Sequence, residues 1–220
     1  MIPIRDVVPV RTAPLVTTAL IGVHLVVFAV WLVSARNDAA GSAFLHAWGY
    51  VPAEAGSLRA FTSLFLHGGL IHISANVLAL WVFGGTVEDR LGHARFLTFY
   101  VVTGLLGLLV DAWLVPARPT PLLASSGAVA GVLGAYLALF PKSKVLVLVP
   151  LGITWEVIEI PATWCLLLWF GLQVLGNLPH PLDMAGTVAF SMPAAGLTAG
   201  LALVWVFRRR ERLRVEWWSA

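Results

Sequence analysis

The stretch "LASSGAVAGVLGAY", residues 123–136, places a serine hydroxyl, that of Ser126, at the mouth of an apolar helix. Small residues follow at four-residue spacing, namely Gly127, Gly131 and Ala135. This spacing lets the backbone of a second helix approach closely inside a bilayer. The hydroxyl of Ser126 is therefore either a packing group or a nucleophile, and the motif by itself leaves both open.

A second group of polar residues, His67, His72 and Asn76, lies upstream in "HGGLIHISANV". On a helix, His72 and Asn76 share a face, so each offers a donor to the same point. Two converging donors can stabilise a developing oxyanion. In the alternative interpretation, His67 caps the start of the helix and the other two side chains bond to neighbouring backbone. Polar side chains at membrane depth are costly, which makes all three candidate functional residues.

The amino-acid composition indicates that much of the chain lies in a lipid bilayer. Hydrophobic residues make up 59% and charged residues 11% of the 220 residues, and the mean hydropathy is +0.88. One soluble core could not bury so much apolar surface, so we predict a polytopic membrane protein in contact with membrane lipid. The net charge of +3 comes from residues at the ends of apolar spans, and nucleic-acid binding is excluded on this ground. We expect no cofactor and no metal site.

Six apolar stretches approach the length of about 20 residues that a membrane-spanning helix needs. They predict an all-α fold with six transmembrane helices, in which the second and fourth spans are short for a full crossing. The expected domains are a cytoplasmic N-terminal segment (1–13), the membrane domain (14–207) and a basic cytoplasmic tail (208–220). The six stretches are Pro14 to Ser34, Leu70 to Thr86, Phe96 to Val115, Ser125 to Phe140, Ile160 to Leu178 and Asp183 to Phe207.

The distribution of Lys and Arg predicts the orientation. Eleven of the 14 lie on the side of the two termini, and only Arg36, Arg59 and Arg118 lie on the other. Because cytoplasmic loops carry the excess of positive charge, both termini are expected in the cytoplasm, in a bacterial inner membrane. The first span is expected to be retained and not cleaved as a signal peptide. The tail is interpreted as a membrane-surface anchor, with protein docking as the alternative.

Two connections are unusual. Residues 35–66, between the first two spans, are partly apolar, and their aromatic residues suggest that they lie in the outer interface of the membrane. Residues 145–159, "VLVLVPLGITWEVIE", are either strand-like or interfacial. No internal repeat is evident, and the spans are predicted to lack buried charge, so transport of small solutes is a distant third alternative to the two functions below.

Three motifs together carry a resemblance to a known family. The run "FLHGGLIHISANVLALWVFGGTVEDRLG", then "ASSGAVAGVLGAY", then "AAGLTAGLAL" resembles the rhomboid family of intramembrane serine proteases. The resemblance implies a six-helix core with an aqueous cavity open to the outer face, in which a serine–histidine dyad hydrolyses transmembrane segments of other proteins. It implies that Ser126 is the nucleophile, that His72 and Asn76 form the oxyanion hole with the Ser126 amide, and that His67 is structural.

The chain departs from the family pattern at three positions. The family has the general-base histidine three residues before a glycine pair, here the structural residues Gly196 and Gly200, and Pro193 stands there instead. Proline cannot accept a proton. The aromatic residue that packs on the base is replaced by Ala130, and the glycine two residues before the nucleophile by Ala124.

Two functions follow. One is a pseudoprotease that binds transmembrane segments of partners through a lateral opening near the fifth span, at Trp164, Trp169 and Phe170. The other is an active serine endopeptidase whose base is not recognised. No spacing points from His24, His46 or His180 to the serine, and His72 is assigned to the oxyanion and expected on the wrong side. Proline inside the sixth span is also expected to kink that helix.

Overall fold

The computed structural model describes residues 2–54, 57–151, 154–176 and 191–209. These residues are mainly helical, with a small antiparallel sheet. The α-helices are α1 (Leu15–Ser34), α2 (Asp38–Trp48), α3 (Ser57–Thr62), α4 (Leu70–Ala79), α5 (Gly85–Leu91), α6 (His93–Leu114), α7 (Ser125–Leu139), α8 (Ala162–Gly176) and α9 (Ser191–Phe207). The strands are β1 (Ile2–Asp6), β2 (Lys144–Leu151) and β3 (Thr154–Pro161).

Helix α7 is the centre of the fold. Its residues 125–136 are all buried, and α6, α9 and the helix that begins at α4 pack around it. A Cβ on Gly196 would overlap the carbonyl oxygen of Gly127, and one on Gly200 would overlap that of Gly131. Helices α7 and α9 therefore touch backbone to backbone, which only glycine permits at these positions.

Within the described ranges, three helices are long and apolar enough to cross a membrane: Leu15–Ser34, Leu70–Leu91 and His93–Leu114. Three shorter apolar helices cover Ser125–Leu139, Ala162–Gln173 and Ser191–Phe207. Every sequence-predicted span thus contains an apolar helix. Residues 177–190, which include the predicted starting residue Asp183 of the sixth span, lie outside the described residues.

The second span is longer than predicted. It continues through a π-helical turn (Leu80–Gly84) and α5 to Leu91, and at 22 residues it is long enough for a full crossing. The prediction ended this span before the acidic residues. The helix continues because Glu88 is fully buried and accepts hydrogen bonds from the first turn of α1, at Val16 N (2.9 Å) and Thr17 N (2.7 Å). A carboxylate at the N-terminus of a helix satisfies N–H groups that have no partner within that helix.

The all-α prediction missed a three-stranded antiparallel sheet of order β1-β2-β3. The stretch 145–159, for which strand-like structure was one of two interpretations, forms most of the β2–β3 hairpin, in continuous register from Lys144 opposite Pro161 to Leu151 opposite Thr154. Strand β1, which lies within the segment 1–13, pairs with β2. The sequence carried no signal for β1, because its five residues gain their hydrogen bonds only from a strand about 140 positions away.

The connection between α1 and α4 is largely helical, through α2, α3 and two 3₁₀ turns (Pro52–Glu54 and Ser63–Phe65). Tyr50 forms an isolated bridge with Leu122, with hydrogen bonds of 3.1 and 2.7 Å. Ala124 N donates to the carbonyl of Ser63 at 2.8 Å. These bonds attach the connection to the chain just before α7 and so fix the start of the helix that carries the candidate serine.

Candidate active site

Ser126 is the second residue of α7, and its side chain lies at the end of the helix that opens on a cavity. Only 6% of Ser126 is exposed. The N–H groups of the first turn of a helix have no acceptor within that helix. The serine hydroxyl and these backbone donors therefore lie together, as the stabilisation of an oxyanion requires.

The cavity has a volume of about 740 Å³ and is lined by residues from α4, α6, α7 and α9. His72, Ser126 and Pro193, three of the sequence-predicted site residues, lie on its wall. The Nε2 atom of His72 is buried and has no hydrogen-bond partner among the described residues. The structure thus brings the candidate nucleophile, one candidate oxyanion donor and Pro193, the residue at the position expected for the base, to one cavity.

Asn76 lies behind the cavity and not on its wall. Its Nδ2 contacts His67 Nε2 at 3.1 Å and donates to Ser125 Oγ at 3.2 Å, while its Oδ1 accepts from Gln173 Nε2 at 2.7 Å. Ser125 Oγ in turn donates to the carbonyl of Leu66 at 2.8 Å. These buried contacts occupy the amide, so in this arrangement Asn76 does not point with His72 at one spot. Its partners are side chains, and not the neighbouring backbone of the alternative interpretation.

His67 lies between two other imidazoles, and it does not form a side-chain cap at the start of α4. The centroid of its ring is 5.0 Å from that of His72 and 4.9 Å from that of His24. His24 Nε2 is 2.8 Å from the hydroxyl of Tyr100. His67 thus connects the cavity wall to the buried side of α1 and α6, a position typical of a structural residue.

Pro193 is the third residue of α9 as the described residues define that helix. The residues before Ser191 lie outside the described ranges, and the kink expected at Pro193 stays a prediction. Ala130 and Ala124 are fully buried.

The other histidines of the described ranges do not line the cavity. Of the five histidines within the described ranges, His72 alone lines the cavity. His24 is bonded to Tyr100, and His46 is exposed on α2. His180 lies outside the described residues.

Sequence reasoning missed a charged pair at the cavity. Asp111, on α6, is 2% exposed, lines the cavity, accepts a hydrogen bond from Ser191 and lies 3.7 Å from Arg118. A single carboxylate near the end of an apolar span was the signal that could have identified it. The assumption that the spans lack buried charge is therefore wrong, since both Asp111 and Glu88 are buried.

Gln173 was a second omission, detectable as the one amide in the apolar run of α8. No group of three or more histidine, cysteine, aspartate or glutamate side chains in the described ranges is arranged to hold a metal ion.

The site indicates a membrane protein with the framework of a serine protease. Comparison with known proteins supports this class. The Rhomboid domain matches residues 55–210. The mitochondrial Rhomboid protein 1 of Saccharomyces cerevisiae is 31% identical over 170 residues, which are 73% of this chain and 48% of that protein. The chain belongs to the rhomboid family.

Proteins named as proteases and as inactive both occur among its relatives. Rhomboid protease GluP of Bacillus subtilis is 32% identical over 152 residues, which are 69% of this chain and 28% of that protein. Inactive rhomboid protein 1 of Drosophila melanogaster is 27% identical over 165 residues, which are 72% of this chain and 11% of that protein. The chain spans less than half the length of each of these three relatives.

Proposed function

We propose that this chain is a catalytically impaired rhomboid that binds transmembrane segments of other membrane proteins. The observation that carries the proposal is Pro193 on the wall of the Ser126 cavity, at the position where the family has its proton acceptor. A serine hydroxyl needs an adjacent base to attack an amide at a useful rate. In subtilisin, loss of the serine or the histidine lowers turnover by about 2 × 10⁶, or about 8 kcal/mol of barrier.

The framework for binding persists without the base. The cavity is present, α7 and α9 pack through their glycines, and α8 exposes apolar side chains away from the core. Trp164 is 63% exposed, whereas Trp169 is buried and packs against Phe170 with ring centroids 5.4 Å apart. Trp164 is therefore the residue of the proposed lateral opening that a partner helix can contact.

The proposed setting is a membrane crossed by all six apolar helices, with both termini in the cytoplasm and the cavity towards the outer face. The excess of Lys and Arg on one side supports this orientation. The proposed residue roles are Ser126 as an unactivated nucleophile, His72 as an oxyanion donor, and His67 and Asn76 as buried supports of His72.

One observation favours the second candidate, an active serine endopeptidase. His72 lines the same cavity as Ser126 and its Nε2 has no partner among the described residues, so an imidazole is present that could accept the serine proton. In this case His72, and not residue 193, is the base.

Labelling with a fluorophosphonate probe distinguishes the two candidates. We expect no labelling of the unaltered protein, and labelling of Pro193→His at Ser126. Pro193→Ala is the matched control, since it removes the proline without supplying a base. Labelling of the unaltered protein that is lost in Ser126→Ala would contradict impairment and support the second candidate.

A further inference from the structure

The outer edge of β3 is an open hydrogen-bonding surface. Strand β3 is eight residues long, and among the described residues no strand pairs with it on the side away from β2. All its residues are exposed except Ile160, which is half-buried. Long exposed edges are pairing sites for extended chains unless the sequence protects them.

Two hydrogen bonds show which groups of β3 point outward. Ala162 N donates to the carbonyl of Ser143 at 2.9 Å, and Val7 N donates to that of Lys144 at 3.1 Å. Odd-numbered residues of β2 thus bond towards β3, and even-numbered ones towards β1. Because hydrogen-bonding groups alternate along an antiparallel strand, the odd-numbered residues of β3 direct their N–H and C=O groups outward. Trp155, Val157 and Glu159 carry these free groups.

The acidic side chains of β3 indicate the charge of a strand that would pair with its edge. The charged residues of β3 are Glu156 and Glu159, and Glu159 is bonded to Lys144 at 3.0 Å while Glu156 has no ion pair among the described residues. Two acidic side chains disfavour pairing with a second β3 strand and favour a basic one. The strand has no bulge against β2, and its only proline is its last residue, Pro161.

The position of β3 next to α8 indicates that a basic strand would come from the flank of a membrane helix. Strand β3 runs directly into α8, whose exposed face includes Trp164, Leu167 and Leu168. A transmembrane helix that packs on this face would leave the membrane beside β3. Cytoplasmic flanks of transmembrane helices are rich in Lys and Arg, which matches the acidic edge.

We propose that β3 binds the basic cytoplasmic flank of a partner membrane protein as an added antiparallel or parallel strand. The inference rests on the proposed function, because the partner's membrane segment is placed against α8. Main-chain hydrogen bonds to the odd-numbered residues provide affinity, and Glu156 provides the preference for basic flanks.

The test measures binding of synthetic peptides to the full chain in nanodiscs of neutral lipid. One peptide is an apolar transmembrane helix with an eight-residue flank of alternating lysine, threonine and valine, and the other lacks the flank. We expect the flanked peptide to bind about tenfold more tightly, a difference of about 1.4 kcal/mol. Equal affinities would overturn the proposal.

Val157→Pro is the decisive variant, since it removes an outward N–H without removing a bond to β2. It should lower the affinity of the flanked peptide to that of the unflanked one, while Val157→Thr should not. If Val157→Pro fails to fold, a flank with N-methylated alternate residues tests the same bonds on the unaltered protein and should lose the same tenfold. Retained affinity of the methylated flank would refute strand addition.

The remaining outcomes separate this inference from the proposed function. Binding of the unflanked peptide with no gain from the flank leaves the function standing and overturns the inference. Binding of the flanked peptide alone supports strand addition and contradicts recognition of membrane segments. If neither peptide binds, both are wrong. Disulfide-linked dimers of a Val157→Cys variant at low density in the membrane would show that a second copy occupies the edge, and would also overturn the inference.

Discussion

The buried carboxylate of Glu88 should be a principal support of the first membrane helix. It is fully buried and accepts hydrogen bonds from Val16 N, Thr17 N and Thr17 Oγ1, at 2.9, 2.7 and 2.6 Å. His93 Nδ1 lies 2.5 Å from Glu88 Oε1, the oxygen that also accepts from Val16 N. Glu88→Gln keeps the volume but presents an NH₂ group to donors. Each buried donor left without an acceptor costs about 1–3 kcal/mol, so we expect a loss of about 2–4 kcal/mol of unfolding free energy.

Asp89→Asn is the matched control for this prediction. Asp89 also accepts three hydrogen bonds, from Arg11 N, Thr12 N and Thr12 Oγ1, but it is half-buried and water can replace the lost acceptor. Its substitution should cost about 1 kcal/mol or less. Reversible unfolding of the purified protein in mixed detergent micelles measures both. Equal losses for the two variants would refute the reasoning that burial, and not the number of hydrogen bonds, makes Glu88 important.

Three further predictions concern packing, pH and orientation. Gly200→Val should prevent folding or cost several kcal/mol because α9 must move away from α7, whereas Gly22→Val, which meets nothing within 4 Å, should change the same unfolding free energy by less than about 1 kcal/mol. Burial raises the pKa of Asp6 above 3.8, so its contribution to stability is present below that pH and is lost as the pH rises through the folded pKa. Melting temperatures between pH 4 and pH 7 should therefore fall more for the unaltered protein than for Asp6→Asn, and a steeper fall in the variant would contradict this assignment. In intact cells, an impermeant thiol reagent should label a cysteine placed at Ser42 but not one at Lys142, and the reverse pattern would contradict cytoplasmic termini.

Apolar periodicity and small-residue spacing predicted the helices and their closest contact. The positions of α1, α6 and α7 follow from uninterrupted apolar runs, and the four-residue spacing from Gly127 to Gly131 predicted a close helix, which is α9. The predicted end of the second span was too early. Glu88 looks like a surface residue in the sequence, because its hydrogen-bond donors on α1 are known only from the structure. Local patterns carry no information on partners about 70 residues away.

The site was predictable in part for the same reason. His72 and Ser126 were found because each is a polar residue in an apolar run, and they meet on the cavity wall. The position of Asn76 was not predictable, since helical spacing places it on the face of His72 but does not show that Ser125 and Gln173 occupy its amide. Asp111 was overlooked although the same rule would have found it.

The contact between α7 and α9 depends on residues other than Pro193. A Cβ on Gly196 or Gly200 would overlap the carbonyl oxygen of Gly127 or Gly131, so these glycines determine how closely the two helices pack. Residue 193 lines the cavity. The backbone contact between α7 and α9 and the cavity wall are therefore compatible with complete loss of an imidazole at residue 193. This independence supports the proposal of a framework that binds membrane segments without cutting them.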